Sequence, residues 1–121
     1  MNLLNSDQLR LLEHFLDLAS KRQGLLSSNI ANIDTPGYQT RDIDFHSELV
    51  RAMSGDAPGS MEPVVREVRG LISRPDGNNV SVDREGLLLS QTQLQFDEAS
   101  ELVKDEFKTL NVAIHGGGTS S

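Results

Sequence analysis

Residues 27–45, SSNIANIDTPGYQTRDIDF, end a helical pattern and turn the chain. The residue before a proline is pushed out of helical geometry, so Thr35 must lie outside the helix. Pro36 presets φ at the second position of a turn, and Gly37 supplies the positive φ that the third position of a type II turn requires. The stretch therefore predicts a helix that ends near residue 33 and is followed by a tight turn.

An apolar pattern with the three-four spacing of a coiled coil leads into this stop signal. Of the eight positions that follow this spacing from 9 to 33, seven are apolar and Gln23 is the exception. We expect a helix over 6–33, with Asn5 or Ser6 as its N-cap. A second apolar row flanks the seam and widens the apolar face. The seam comprises Leu9, Leu12, Leu16, Ala19, Leu26, Ile30 and Ile33, and the second row comprises Leu11, Phe15, Leu18 and Leu25.

A second helical pattern with the same spacing occupies residues 83–114. Asp83 suits the N-cap position, and Glu85 adds a negative charge where the helix dipole favours one. The pattern ends before three consecutive glycines, so residues 115–121 are expected to form a flexible tail. The apolar seam of this helix comprises Leu89, Phe96, Ala99, Val103, Phe107, Leu110 and Ile114.

The centre of the chain, residues 34–82, holds the turn motif and a loop-rich segment. Phe45, Leu49 and Met53 share one side of a short predicted helix. Residues 64–72 contain β-branched residues and predict a short strand, and residues 75–79, PDGNN, predict a turn. The fold class is therefore mainly α, with two long terminal helices and a short irregular central segment that includes a small β element.

Two arrangements of the terminal helices are compatible with this pattern. The seams of residues 1–33 and 83–114 can pair within one chain, as a coiled coil or helical hairpin. Alternatively, they stay partly disordered in the monomer and become ordered only against neighbouring subunits. Both can also hold together, with a hairpin inside each subunit and the second apolar row facing the next subunit.

Composition excludes several classes of function. With 121 residues the chain forms one domain, and its net charge of −7 with no basic face argues against nucleic-acid binding. There are no cysteines, no run of about 18 apolar residues that would span a membrane, and no secretory signal pattern. His14, His46 and His115 are scattered along the chain without the spacing of a metal site or a catalytic triad. We therefore expect no enzymatic activity, no metal and no cofactor.

The opening motif is similar to a known family signature. Residues 28–32, SNIAN, followed two residues later by TPGY at 35–38, resemble the N-terminal signature of the bacterial flagellar rod and hook proteins. Residues 41–45, 77–80 and 83–85 resemble the proximal rod member of that family, as does the short length.

The resemblance covers residues 5–114 and implies a structural role. A subunit of the proximal rod would transmit torque from the membrane ring to the distal rod and hook. It would leave the cytoplasm through the flagellar type III export apparatus without a cleaved signal and occupy the periplasmic space. The implied partners are other rod proteins, the ring–rod junction protein FliE and further copies of the chain. The alternatives are a free-standing helical adaptor or secreted coiled-coil protein, and another member of the rod family.

The resemblance also assigns roles to particular residues. The two helical seams become subunit interfaces, so Leu26→Asp is expected to block assembly while leaving export intact. Turn geometry accounts for Pro36 and Gly37 but leaves Asn29, Asn32 and Tyr38 without a role, and these three are interpreted as subunit contacts. Residues 45–49, from Phe45 to Leu49, resemble the Phe-x-x-x-hydrophobic element that engages the export gate, although one face of a short helix produces the same pattern.

Overall fold

The computed structural model describes residues 6–54 and 62–119. Helix α1 spans Ser6–Ala31, so the long N-terminal helix is confirmed. It ends two residues before the expected position because Asn32 N donates to both Ser28 O and Asn29 O, which tightens the chain into a turn. Asn5, one of the two expected N-caps, lies outside the described residues.

The C-terminal helix, α3, spans Val82–Thr119 and differs from the expectation at both ends. Asp83 was expected to be the N-cap, but it lies inside the helix. Ser81 occupies that position, and its Oγ accepts a hydrogen bond from Arg84 N at 3.3 Å. The helix also continues through the three glycines, each of which costs about 1 kcal/mol relative to alanine without breaking the hydrogen-bond ladder.

Helices α1 and α3 pack side by side and form the largest contact between described elements. They are antiparallel, because Asn29 bonds Glu85 and Gln23 bonds Gln93. Their buried residues include Leu18, Ala19, Leu26 and Ala99. The structure therefore has the seams paired within one chain, and the mainly α fold class is confirmed.

The two helices differ in length, and this difference leaves one end of α3 without a described partner. With 26 and 38 residues, they are roughly 39 Å and 57 Å long at 1.5 Å per residue. The C-terminal end of α3 consequently extends past the described start of α1.

The central segment forms a small layer beside the helix pair. Strand β1, Arg41–Ile43, pairs antiparallel with β2, Val65–Glu67, in the register Asp42 opposite Arg66. Between them, helix α2 spans Phe45–Met53. A short strand within residues 64–72 and a helix from residue 45 were both expected, whereas Met53 is largely exposed and does not line the packed face.

Helix α2 begins with a side-chain cap that the sequence analysis did not assign. Asp44 Oδ1 accepts a hydrogen bond from Ser47 N at 3.1 Å. That backbone hydrogen bond lowers the pKa of Asp44 below its ordinary value, and the nearby His46 and Arg66 contribute in the same direction. The cap fixes the direction in which α2 leaves β1.

Candidate functional site

The predicted type II turn is present at the end of α1. Tyr38 N donates to Thr35 O at 3.2 Å, and Gly37 has a φ of 75°. Asn32 also closes the helix, because its amide nitrogen donates to Ser28 O at 2.8 Å. The motif therefore works locally as a helix stop and a turn.

Asn29 is completely buried and holds three parts of the chain together. Its Oδ1 accepts hydrogen bonds from Tyr38 Oη at 3.0 Å and from Arg41 N at 3.1 Å. Its Nδ2 donates to Arg41 O at 2.8 Å and to Glu85 Oε2 at 3.0 Å. Both donors and both acceptor positions of the amide are used. One side chain thus joins α1, the turn, β1 and α3.

Next to Asn29, four charged side chains form a balanced network. Arg22 binds Asp42 through two bonds of 3.0 Å, and Arg84 Nη2 binds the same carboxylate at 3.0 Å. Arg84 Nη1 also binds Glu85 Oε1 at 2.6 Å. Truncating one partner of a buried ion pair costs about 3–5 kcal/mol of stability, because the other charge is left buried and unpaired. Each of these contacts therefore depends strongly on the others.

A second loop, residues 74–80, clamps the motif turn. Asn78 is fully buried, and its Nδ2 donates to Asn32 O at 2.9 Å and to Thr35 O at 2.8 Å. Gly37 N donates to Asp76 O at 2.9 Å. The turn at 75–79 was expected from sequence, but its contact with the motif was missed. We call residues 29–42 and 74–85 together the polar clamp.

The clamp brings two glycines into close contact, and this gives a test of the geometry. Gly77 has a φ of 86°, and a Cβ built on it would lie 3.3 Å from Gly37 Cα. Gly70 has a similar φ of 82° but no neighbouring atom within 4 Å. Backbone strain of about 1–3 kcal/mol is therefore common to both alanine variants, and the contact with Gly37 is added only at Gly77.

We expect Gly77→Ala to lose roughly 1–3 kcal/mol more unfolding free energy than Gly70→Ala, as overpacked sites do. Urea denaturation of the two variants and the parent measures this difference. Equal losses in both variants would contradict the close contact between the two loops.

The structure gives Asn29, Asn32 and Tyr38 partners inside the chain, while a contact of the partly exposed Asn32 or Tyr38 with a neighbouring subunit stays a prediction. They were assigned to subunit contacts because turn geometry left them without a role. Asn29 and Tyr38 bond each other inside the clamp, and Asn32 bonds its own helix and Thr35 Oγ1. Asn29 has no exposed surface to offer a neighbour. The partner of Asn29 on α3, Glu85, is 56 residues away in the sequence, whereas these partners of Asn32 and Tyr38 lie within nine residues of them.

The residues assigned to subunit interfaces fall into three groups. Four of them are buried inside the chain and belong to the core of the subunit: Leu18, Ala19, Leu26 and Ala99. Those largely exposed are Phe107, Leu110 and Ile114, at the end of α3. The half-buried remainder comprises Leu9, Leu11, Leu12, Phe15, Leu16, Leu25, Ile30, Ile33, Leu89, Phe96 and Val103.

Part of the second apolar row is covered by the chain itself. Phe15 meets Phe45 of α2 edge to face, with ring centroids 5.0 Å apart and ring planes at 82°. Such aromatic pairs contribute about 0.5–1.5 kcal/mol beyond their buried area. Phe45 and Leu49 are both half-buried, so the short helical face is used within the fold.

Two kinds of site were sought among the described residues. In 6–54 and 62–119, no group of three or more histidine, aspartate or glutamate side chains could hold a metal ion. Within the same ranges, no helix combines the length and apolar character of a membrane crossing.

Known proteins are similar to this chain both in the motif and over most of its length. The family model described as "Flagella basal body rod protein" matches residues 16–39. The chain is 33% identical to the flagellar basal body rod protein FlgB of Salmonella typhimurium, over 90% of this chain and 94% of that protein. The FlgB proteins of Escherichia coli and Borrelia hermsii are 33% and 29% identical over 90% and 86% of this chain.

The matched family covers the elements that form the site. The family model contains most of α1, the turn and Tyr38, and the alignments to FlgB proteins extend over nearly the whole chain. These relatives are named as parts of the basal body rod, which is a structural assembly. On this identity and coverage, the chain belongs to the family of flagellar basal body rod proteins.

Proposed function

We propose that this chain is a structural subunit of the proximal rod of the bacterial flagellum. Its supporting relatives are named FlgB, and the observation that carries the mechanism is the exposed apolar end of α3. Five large apolar side chains lie there with at least two fifths of their surface exposed: Leu102, Phe107, Leu110, Val112 and Ile114.

The apolar end of α3 supplies the driving force for assembly. Burying one leucine, isoleucine or phenylalanine side chain fully contributes about 1.5–3 kcal/mol. Several such residues on one helix end form a larger apolar patch than the isolated apolar side chains that are normal on a protein surface. Neighbouring subunits would cover it, whether they are other rod proteins, FliE or further copies of this chain.

The polar clamp suits a part that carries torque. It fixes the far end of the α1–α3 pair through hydrogen bonds and ion pairs that join both helices to the central layer. A load applied to one helix is therefore shared with the other through several short bonds. The rod would transmit torque from the membrane ring to the distal rod and hook through such stiff subunits.

Export through the flagellar type III apparatus is part of the same proposal, and the rod would occupy the periplasmic space. Phe45 and Leu49 are the residues proposed to engage the export gate. Since Phe45 packs on Phe15 in the folded chain, the apparatus would bind this element before the fold forms.

Leu110→Asp tests the assembly surface. Leu110 is 42% exposed, so the variant should fold, with a change in unfolding free energy within about 0.5 kcal/mol. In a strain whose own gene for this chain is deleted, we expect the parent gene to restore swimming and the variant to fail. Soft-agar swimming and purified basal bodies are the measurements.

Ser20→Asp is the matched control, because Ser20 is an exposed residue in the middle of α1, away from the exposed end of α3. It adds the same charge and should leave swimming intact. If Leu110→Asp built motile flagella, the exposed end of α3 would not be an essential contact.

A further inference from the structure

The loop at residues 74–80 contains an Asp-Gly bond, which is a chemically reactive linkage in a polypeptide. In water, the backbone nitrogen of the residue after an aspartate can attack the carboxyl carbon of that aspartate. A side chain on the attacking residue hinders the approach, and glycine has none. Asp76 is the one aspartate of the chain that precedes a glycine, and it is exposed. The bond between Asp76 and Gly77 is therefore the place where this attack is easiest.

The reaction adds a carbon atom to the main chain. Gly77 N forms a bond to Asp76 Cγ and loses its proton, and the hydroxyl of the carboxyl group leaves with a proton as water. The product is a cyclic imide, which water then opens at either carbonyl. Opening at the former backbone carbonyl leaves an isoaspartate, in which the main chain runs through Cβ and Cγ and the old carbonyl has become a free carboxylate. Water is the only co-reactant.

The folded loop fixes the groups that would react. Gly77 N donates to Arg74 O at 2.8 Å, and Asp76 O accepts from Gly37 N at 2.9 Å. Both polar groups of the reactive peptide unit are thus bonded, and the unit cannot turn toward the carboxyl group without breaking these bonds. Asp76 Oδ1 also accepts from Asn78 N at 2.9 Å. The reaction therefore requires the loop to open first.

We propose that Asp76-Gly77 is a site of isoaspartate formation, which the closed polar clamp suppresses and which, once modified, prevents the clamp from closing. Modification takes Asp76 O out of the main chain, so Gly37 N loses its acceptor. The carboxyl group that holds Asn78 N becomes part of the main chain. The loop has little room to adjust, since a Cβ built on Gly77 would already lie 3.3 Å from Gly37 Cα.

The same glycine serves the clamp and makes the bond reactive. Gly77 has a φ of 86° and lies against the backbone of Gly37, so a larger residue would strain the closed loop. The missing side chain also leaves its nitrogen open to reaction. The geometry that closes the clamp therefore carries the reactive bond with it, and folding protects that bond.

Ageing of the purified full-length parent tests the suppression. One sample is kept in native buffer and the other in urea above the unfolding midpoint, at the same neutral pH and temperature. Mass spectrometry with electron-transfer fragmentation distinguishes isoaspartate from aspartate at position 76. We expect isoaspartate to form at least about tenfold faster in urea, because the folded protein reacts only through its rarely open state. Equal rates, or no isoaspartate at position 76 in urea, overturn the inference.

Asn78→Ala tests whether the clamp is what suppresses the reaction. The variant removes the amide that bonds Asn32 O and Thr35 O and leaves the Asp-Gly bond intact. In native buffer it should form isoaspartate about tenfold faster than the parent. Asn111→Ala makes the same change at an exposed position of α3 and should age like the parent. A rate for Asn78→Ala no higher than for Asn111→Ala overturns the role of the clamp, and the two parent samples decide the question if Asn78→Ala does not fold.

Hydrogen exchange tests whether modification keeps the clamp open. The urea-aged parent, returned to native buffer, contains modified and unmodified chains in one sample. In the modified chains the amide of Gly37 has lost its acceptor, so peptides that contain it should show a second population with faster exchange. The size of that population should equal the isoaspartate fraction. A single population with the unmodified rate would mean that the clamp closes around the modified bond, which overturns this part of the inference. All three measurements use the purified chain, so they do not depend on the proposed rod function.

Discussion

Leu26→Asp is expected to unfold the protein at 25 °C. Leu26 is completely buried between the two long helices, so the change removes about 1.5–3 kcal/mol of burial. It also places a carboxylate in the core, which costs several kcal/mol more even after relaxation. Together these losses approach the entire stability of a typical domain, about 5–15 kcal/mol. Circular dichroism should show loss of most helical signal at neutral pH.

Two variants control for this result. Leu26→Met keeps the volume and should cost less than about 1.5 kcal/mol. Leu94→Asp makes the same chemical change on α3 at a side chain that is 59% exposed, and it should retain the fold. A folded Leu26→Asp protein with the parent's denaturation midpoint would show that Leu26 is not in the subunit core.

The buried position of Leu26 changes how its variant is interpreted. The spacing of the seam predicted that Leu26→Asp would block assembly at an interface between subunits. In the structure the same seam pairs α1 with α3 inside one chain, so a failure to assemble would follow from unfolding. The exposed Leu110 is the residue that separates assembly from folding.

Helical periodicity predicted the long helices well because each repeat of the pattern reports the same buried face. The turn was predicted equally well, since proline and glycine restrict the backbone locally at Pro36 and Gly37. Helix ends were less accurate. Ser81 and Asp83 are both good N-caps by residue type, and the choice between them depends on where the chain enters α3.

The polar clamp could not be predicted from these local rules. Asn29 and Glu85 are 56 residues apart, and nothing in either segment alone names the other as its partner. A signal was nonetheless present. Asn29 lies among apolar positions of α1, and a buried amide must find partners for all its polar atoms. The asparagine pair Asn78-Asn79 was a second such signal, in a turn that needed only one of them.

The second large loss of unfolding free energy is expected for Asn29→Leu. This variant keeps a similar size but leaves Tyr38 Oη, both backbone groups of Arg41 and Glu85 Oε2 without the amide that bonds them. Each unsatisfied buried group costs about 1–3 kcal/mol. Relaxation and entry of water will reduce the sum, so we expect a loss of roughly 3–5 kcal/mol in unfolding free energy.

Two further variants in the same motif show how much each of its hydrogen bonds contributes to stability. Tyr38→Phe deletes the hydroxyl that donates one of the four bonds, and it should cost about 1 kcal/mol. Asn32→Leu removes a helix-end bond to Ser28 O at a partly exposed position, with a similar cost of about 1 kcal/mol. The expected order of stability is therefore parent, then these two variants, then Asn29→Leu.

Urea denaturation and amide hydrogen exchange together test this ranking. If Asn29 joins α1 to α3, Asn29→Leu should speed exchange in both helices near residues 29 and 85, because opening one end releases the other. Asn32→Leu should affect the end of α1 alone. A loss in Asn29→Leu no larger than that in Asn32→Leu would mean that the four hydrogen bonds of Asn29 do not hold the helix pair together. The motif asparagines would then again need an explanation from contacts between subunits.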